Sequence, residues 1–388
     1  MVDIQKMVKE EEAKMIADRR YLHQHPELGF QEFETTNYLA AFLDDLGVTY
    51  RRLDPTGLVG ELAGKRAGKT ILLRADIDAL PINEVKKDLP YASQTENVMH
   101  ACGHDSHMAM LMTAIRVLNR LEGDFSGTVR FIFQPAEETG RGAKAMIKQG
   151  VLEGVDEAFG MHIWSQLPVG TVSCVEGPSF GAADFFTVTF EGKGGHGAQP
   201  HLSKDALIMG AHFATAVQTA VSRMVDPIES GVLTIGTFHS GQKQNVIAQT
   251  AELSGTVRTF YPDARDTIEN AINDIANHTA QMFGGQTTVQ YDRLTTIVNN
   301  TPESAKRVRD IVDTQMPSAD FVDTVKMMVG EDFGYFTDEV PGAFALVGSG
   351  NKEKDAHWPH HHERFDLDED SFARGAELYV RYALDYLN

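Results

Sequence analysis

The stretch TVRFIFQPAEE, residues 128–138, places an apolar run directly before two adjacent carboxylates. Its apolar character predicts a buried strand over residues 128–133, and a short helix is expected near residues 142–149. A second strand is expected at residues 157–161, immediately before His162. Because strand, helix and strand in this order are typical of a parallel sheet, the stretch indicates an α/β fold.

The same alternation continues on both sides of this stretch, so we expect a central, mostly parallel sheet flanked by helices. The other elements predicted for it are helices within residues 2–50 and near 106–121, 303–315 and 369–386, and strands at 70–74 and 343–347.

A different pattern interrupts this alternation between residues 184 and 296. Its order is βαββαβ, which is typical of an α+β ferredoxin-like domain. We therefore expect one α/β domain of residues 1–183 and 297–388, with a second domain, residues 184–296, inserted into it. The elements behind this prediction are strands at 184–190, 232–238, 250–260 and 287–293, and helices at 205–223 and 264–283.

Composition excludes several classes of function. The 388 residues carry a formal net charge of -20, which disfavours binding to nucleic acid. No run of about 18 apolar residues exists, so no membrane span is predicted. The charged N-terminus lacks the apolar core of a signal peptide, so a cytoplasmic location is expected. Two cysteines, Cys102 and Cys174, are too few for a disulfide-stabilised scaffold.

The segment HACGHDSH, residues 100–107, concentrates ligand-type side chains. Thiolate and imidazole suit borderline-soft divalent metal ions, and Gly103 lets the backbone turn so that Cys102 and His104 can reach one site. The alternative is a polar loop that happens to carry histidines. The segment alone predicts a metal site centred on Cys102 and His104.

Carboxylates and further histidines follow other predicted elements. Glu137 and Glu138 stand where α/β active sites gather, so one could bind a metal while the other takes a proton from water. The alternative is a helix N-terminus, where glutamate is favoured by the helix dipole. His162 and the triplet His360-His361-His362 extend the set, although a lone histidine is commonly structural and a triplet can be a solvated turn.

Four more residues are candidates for supporting roles. Asp78 could orient a ligand histidine, or simply mark a turn. His196 projects from a glycine-rich loop in the inserted domain, where Asn245 lies between strands. The Arg258 guanidinium could bind a substrate carboxylate through two parallel hydrogen bonds. The alternative is that Arg258 is an ordinary surface residue of a strand.

Taken together, six segments resemble the M20 metallopeptidase family, in its aminoacylase-like branch of hippurate hydrolases, auxin-conjugate hydrolases and N-acyl-amino-acid deacetylases. They span essentially the whole chain. The matching segments are LHQHPELG (22–29), RADIDALP (74–81), MHACGHD (99–105), QPAEE (134–138), GGHGA (194–198) and FDLDE (365–369).

The resemblance implies a pair of divalent ions, zinc, manganese, nickel or cobalt, in a metal-binding catalytic domain. Glu137 would be the general base and then the general acid. His361 is the implied ligand of the triplet, since it stands four residues before Phe365. Glu363 stands where the family usually has proline, so His360 and His362 stay open. The implied metal ligands are Cys102, His104, Glu138, His162 and His361.

The resemblance also assigns the inserted domain as a lid and dimerisation domain. His196 would reach the neighbouring subunit's active site in a homodimer and stabilise the oxyanion. Asn245 and Arg258 would hold the carbonyl and the carboxylate of a small N-acyl amino acid, such as an N-acetyl or N-benzoyl derivative. Asp78 would support a ligand histidine. Hydrolysis of the linear amide would release a carboxylate and a free amino acid.

Other functions remain open at this point. A dipeptidase or carboxypeptidase could use the same site, although Asp76-Ile77-Asp78 replaces the His-x-Asp motif of the family's carboxypeptidase branch. An N-acetyl-diaminopimelate deacetylase is a further alternative. A metal- or ligand-binding protein without activity would not need Glu137. A metal-independent cysteine hydrolase would use Cys102 as nucleophile.

Overall fold

The computed structural model describes residues 3–388. The helices are α1 (Ile4–Gln24), α2 (Phe33–Leu46), α3 (His104–Arg120), α4 (Gly142–Lys148), α5 (Ala206–Ala216), α6 (Pro262–Phe283), α7 (Pro302–Gln315), α8 (Gly334–Glu339) and α9 (Phe372–Leu387). The strands are β1 (Tyr50–Arg52), β2 (Leu58–Ala63), β3 (Thr70–Asp76), β4 (Thr128–Gln134), β5 (Glu157–Pro168), β6 (Thr171–Ser173), β7 (Gly177–Phe180), β8 (Ala182–Glu191), β9 (Gly195–His196), β10 (Gly231–Ser240), β11 (Val246–Ile247), β12 (Thr250–Thr259), β13 (Gln286–Arg293), β14 (Val298–Asn300), β15 (Asp320–Phe321) and β16 (Gly342–Gly350).

The chain folds into two compact units. The first comprises the chain through Ser179, then Val298–Val325 and Asp332–Asn388. The second comprises Phe180–Ile297 and Lys326–Glu331. Sequence reasoning placed the last of these segments in the first domain. It joins the second unit because the Gly181 N–H donates to the Met327 carbonyl oxygen over 3.0 Å.

An eight-stranded sheet forms the centre of the first unit, in the order β1-β2-β4-β3-β5-β16-β6-β15. The neighbours β4, β3, β5 and β16 run parallel, while β1, β2 and β6 pair antiparallel. The residues of β3 from Ile71 to Asp76 are all buried, as expected of a strand covered on both faces. The parallel strands therefore end at one edge of the sheet, where their following loops meet.

The second unit contains a four-stranded antiparallel sheet in the order β10-β12-β8-β13. Helices α5 and α6 follow β8 and β12, which completes the βαββαβ order. The apolar side chains of Val188, Phe213, Leu253 and Ile272 form part of its own core. The predicted fold class, a mostly parallel α/β sheet with a ferredoxin-like insertion, is confirmed.

Local details differ from the sequence expectations. The helix predicted over residues 205–223 ends at Ala216 and is followed by a π-helical turn at Ala220–Met224. Strand β5 does not end before His162 but continues to Pro168. Within residues 3–388, no helix is both long enough and apolar enough to cross a bilayer.

Candidate metal centre

A sharp turn brings Cys102 and His104 together at the start of α3. Gly103 has φ 90°, and a Cβ there would lie 2.6 Å from the Ile163 side chain. Only glycine fits this left-handed, crowded position without strain. Cys102 and His104 are both buried on either side of the turn.

Two buried histidines have their ring protons fixed by carbonyl groups. His104 Nδ1 lies 2.9 Å from the Asp78 carbonyl oxygen and 3.1 Å from Asp78 Oδ1. His162 Nδ1 lies 2.6 Å from the Ile163 carbonyl oxygen. Since a carbonyl oxygen only accepts, both Nδ1 atoms carry a proton, and each ring in its neutral form presents its lone pair at Nε2. His162 Nε2 lies 3.4 Å from Cys102 Sγ, so these two ligand atoms face each other.

The glutamate pair sits on a strained turn after β4. Ala136 has φ 54° and ψ 38°, and a single 3-10 turn, Glu137–Thr139, follows it. The Glu138 N–H donates to Asp78 Oδ2 over 3.0 Å, and the Asp332 N–H donates to Glu137 Oε1 over 3.3 Å. Asp78 therefore contacts both the His104 ring and the backbone of the glutamate turn.

The three histidines near the C-terminus make different contacts. His361, at φ 64°, places Nε2 3.3 Å from Glu138 Oε1. His360 instead donates from Nε2 to the Ile163 carbonyl oxygen over 3.0 Å, and burial lowers its pKa to about 3. The ring of His362 stacks on Trp358 at 4.6 Å between centroids, and its Nδ1 accepts from the Arg364 N–H. Among the three, His361 is the one that faces the glutamate pair.

These side chains form three overlapping groups of potential metal ligands. In each group the ligand atoms lie within 4.8 Å of one another. Cys102, His104 and Glu138 each belong to two of the groups, so these groups share ligand atoms as two neighbouring ion sites would. The groups are Cys102, His104 and His162; Cys102, Glu138 and His361; and His104, Glu137 and Glu138.

The electrostatics of the cluster call for added positive charge. Burial and the carboxylates of Glu138, Glu137 and Asp76 raise the pKa of the Cys102 thiol well above its usual range. Burial disfavours a charged His104, but the facing carboxylates outweigh burial and raise its pKa to about 10. Both shifts reflect an excess of negative charge that a bound cation would neutralise.

Unsatisfied buried atoms support the same conclusion. In the described part of the chain, His104 Nε2 is buried without a hydrogen-bond partner, and the buried Glu138 Oε1 makes ion-pair contacts with His361 Nε2 at 3.3 Å and His104 Nε2 at 3.9 Å but no well-formed hydrogen bond. Such atoms are costly in a folded protein unless a ligand completes them. Imidazole nitrogen, thiolate and carboxylate oxygen are the ligands of zinc and related ions. The residues present therefore fit a pair of divalent metal ions.

A buried network behind the cluster escaped sequence reasoning. His107 Nδ1 lies 2.5 Å from Asp76 Oδ1, and its Nε2 accepts from the Ile163 N–H over 2.9 Å. Both ring nitrogens are thus used, so His107 supports the site rather than binding a metal. Arg74 donates to Asp76 over 2.6 Å and to Asp332 over 3.0 Å. Only the tertiary fold brings Asp332 to this position, so no local pattern identifies it.

The predicted substrate residues all belong to the second unit. His196 lies on β9, which pairs with β11, and the Gly197 N–H donates to the Asn245 carbonyl oxygen over 2.9 Å. His196 Nδ1 accepts from the Ala198 N–H over 3.1 Å, which leaves Nε2 as the donor of the neutral ring. Arg258 lies half-buried on β12, and burial lowers the pKa of its guanidinium.

Comparisons with known proteins agree with this geometry. The family model described as peptidase family M20/M25/M40 matches residues 72–385. An N-acetyl-L-cysteine deacetylase of Bacillus subtilis is 38% identical over 366 residues, which cover 94% of this chain and 86% of that protein. Thermostable carboxypeptidase 1 of Saccharolobus solfataricus is 37% identical over 387 residues, or 98% of this chain and 97% of that one. Among solved structures, a dinuclear metal-binding M20 peptidase of Bacillus subtilis has a TM-score of 0.86 at 32% identity, covering 98% of this chain and 99% of that chain.

Proposed function

Because this chain belongs to peptidase family M20/M25/M40, we propose that Glu137 is the general base of its hydrolytic reaction. The protein is a metal-dependent amidohydrolase that cleaves the linear amide bond of N-acyl amino acids and uses a pair of divalent metal ions. One observation carries the role of Glu137. Its carboxylate lies within 4.8 Å of the ligand atoms of His104 and Glu138, at the edge of the metal centre.

In the proposed mechanism, the Glu138 carboxylate would bind metal and the Glu137 carboxylate would transfer the proton. Divalent ions held by these residues would acidify water and polarise the acyl carbonyl group. Glu137 takes a proton from the attacking water as the new C–O bond forms. It then delivers that proton to the amide nitrogen as the C–N bond breaks, so that a carboxylate and a free amino acid leave. Glu138, Cys102, His104, His162 and His361 would hold the ions.

The second unit would supply substrate contacts. His196 Nε2–H would donate to the acyl carbonyl oxygen as negative charge develops there, an interaction that contributes about 3–4 kcal/mol in comparable sites. Arg258 would bind the substrate carboxylate through its guanidinium, and Asn245 would contact the carbonyl group. In this proposal the second unit is a lid, and it selects substrates that carry a free carboxylate.

Replacing Glu137 with Gln tests the base directly. We expect Glu137→Gln to lower kcat by at least about 1,000-fold, because the amide cannot take the proton from water. Bound metal, measured by atomic emission, should stay at the wild-type level. Glu138→Gln is the matched control, which should instead lose metal. Near-normal turnover by Glu137→Gln, with metal retained, would overturn the assignment.

Peptide hydrolysis is the second candidate function, since one relative is named as a carboxypeptidase. N-acetyl amino acids, N-benzoyl amino acids and dipeptides assayed in parallel separate the two activities by kcat/KM. N-acetyl-diaminopimelate belongs in the same panel. Chelation with EDTA should abolish every activity, whereas a cysteine hydrolase that uses Cys102 would be unaffected. Adding back zinc, manganese, nickel or cobalt identifies the effective metal.

A homodimer formed through the second unit is part of the proposal. Leu207 and Ile208 on α5 are 40% and 46% exposed, and Phe238 on the edge strand β10 is 40% exposed. A Cβ at Gly210 of α5 would lie 2.7 Å from the Phe238 ring, so helix and strand form one apolar surface. Such an apolar edge is typical of a surface covered by another chain. A reducing cytoplasmic location is proposed as well, because a Cys102 ligand must escape oxidation.

A further inference from the structure

Glu32 uses both oxygens of a buried carboxyl group to bind two distant segments. It lies directly before α2 and is 0% exposed. Its Oε1 accepts from the Ala136 N–H over 2.9 Å, and its Oε2 accepts from the Thr56 hydroxyl over 2.7 Å. The residue bound by Oε1 immediately precedes the proposed base, Glu137.

The backbone that Glu32 contacts is strained. Ala136 is one of only five non-glycine residues between 3 and 388 with positive φ. The left-handed conformation costs an alanine roughly 1–2 kcal/mol, so neighbouring contacts must stabilise it. Gly29 packs against the same turn, since a Cβ there would lie 3.1 Å from Ala136 Cα. Residues 29–32 thus pack against the turn that carries Glu137 and Glu138.

We propose that Glu32 is a positioning residue, which holds Ala136 in its left-handed conformation and thereby aims the Glu137 carboxylate. This inference rests on the proposed role of Glu137 as base. A 1 Å misplacement of such a group can lower a rate on the order of 100-fold. Both carboxyl oxygens of Glu32 accept from groups other than the proposed metal ligands, namely the Ala136 N–H and the Thr56 hydroxyl, so its effect would pass through the turn.

The chemistry of Glu32 suggests which substitution should be tolerated. Burial raises the pKa of Glu32 to about 7, against the opposing hydrogen bond from Thr56. An oxygen that accepts from Ala136 is present whether or not the carboxyl is ionised. Glutamine keeps that oxygen, and its amide can donate to the Thr56 hydroxyl instead of accepting from it.

The first experiment compares kcat and KM for three variants. Glu32→Ala should lower kcat on the order of 100-fold with KM and bound metal nearly unchanged. Glu32→Gln should stay within about threefold of wild type, because the contact to Ala136 survives. Glu34→Gln, an exposed glutamate in the first turn of α2, is the control and should match wild type. Equal kcat for Glu32→Ala and wild type would overturn the inference.

A rescue experiment separates positioning from a general loss of stability. Glycine adopts positive φ at no steric cost, so Ala136→Gly should reduce the need for Glu32. We expect Glu32→Ala/Ala136→Gly to regain at least about tenfold in kcat over Glu32→Ala. No recovery, with both proteins folded by circular dichroism, would contradict positioning.

A less disruptive substitution, Thr56→Val, tests the inference if Glu32→Ala does not fold. Thr56→Val removes only the donor to Oε2, so it should lower kcat by a smaller factor, which Ala136→Gly again reverses. An unaffected kcat in Thr56→Val, with Glu32→Gln inactive, would overturn the inference. If Glu137→Gln proves active, the proposed function fails by itself, whatever the Glu32 variants show.

Discussion

At the scale of single residues, the histidine triplet offers the sharpest choice. His361 faces Glu138, while His362 stacks on Trp358. We expect His361→Ala to lower metal affinity by at least about tenfold, since the loss of one ligand removes a direct bond. His362→Ala should retain both ions. Metal titration of the chelated proteins by calorimetry checks this, and full affinity in His361→Ala would move the ligand to another residue.

The site residues that were predicted from the sequence share one property, which is that each belongs to a short motif. Cys102 and His104 flank a glycine, and Glu137 and Glu138 follow a buried strand. Glu32 carries no such signal, because its partner Ala136 lies 104 positions away in sequence. Which neighbours a buried carboxylate has is decided by packing, and packing requires the tertiary structure.

At the scale of elements, a substitution at Gly142, after the turn between β4 and α4, has two opposing effects on stability: a gain in helix propensity and a steric clash. Alanine at Gly142, the first residue of α4, would favour the helix by about 1 kcal/mol. However, its Cβ would lie 1.7 Å from the Pro135 carbonyl oxygen. Because a main-chain carbonyl oxygen cannot move without displacing the backbone, the clash outweighs the gain in helix propensity. Gly142→Ala should therefore lower the free energy of unfolding by about 2–3 kcal/mol net.

Urea unfolding measures this balance. Gly236→Ala is the control, because the nearest atom to its Cβ is Ser254 O at 3.9 Å. It should change the free energy of unfolding by less than about 0.5 kcal/mol. Gly142→Ala should also lower kcat, since the displaced turn carries Glu137. A stabilised Gly142→Ala would mean that the turn relaxes easily and that helix propensity decides.

Element prediction succeeded where apolar runs were long and failed where pairing was local. The buried strands β3 and β4 and the helices α3 and α6 were found within a few residues. Strands β1 and β2 were missed, because an antiparallel edge pairing leaves a short and partly polar pattern. The π-helical turn at Ala220–Met224 was missed too, since the apolar spacing runs on past the end of α5.

At the scale of the whole molecule, the order of elements was enough to predict two domains and their folds. The boundary at Lys326–Glu331 was not predictable, because that segment joins the second unit through a tertiary bridge at Phe180 and Met327. The family resemblance is confirmed. The proposed dimer, by contrast, would use a surface that no motif describes, namely the apolar face of α5 beside β10.

That surface leads to a prediction about how two subunits cooperate. Leu207→Asp should convert the dimer to monomer in analytical ultracentrifugation, because a buried charge at an apolar interface is costly. Val85→Asp, at the same 40% exposure but in the first unit, is the control and should stay dimeric. If His196 acts across the dimer, the monomer should also lose activity on the order of 100-fold, as expected for one missing oxyanion donor.

Complementation decides whether His196 acts within its own subunit or on its partner. Glu137→Gln and His196→Ala subunits, co-expressed with different tags and purified as the heterodimer, each lack one group. Across the dimer, one site would combine the intact Glu137 of the His196→Ala subunit with the intact His196 of the Glu137→Gln subunit, and the other site would lack both. The heterodimer should then regain about half of wild-type turnover, although each parent homodimer is nearly inactive. If His196 instead serves its own subunit, both sites stay defective, and turnover no higher than that of the parents would refute the shared active site.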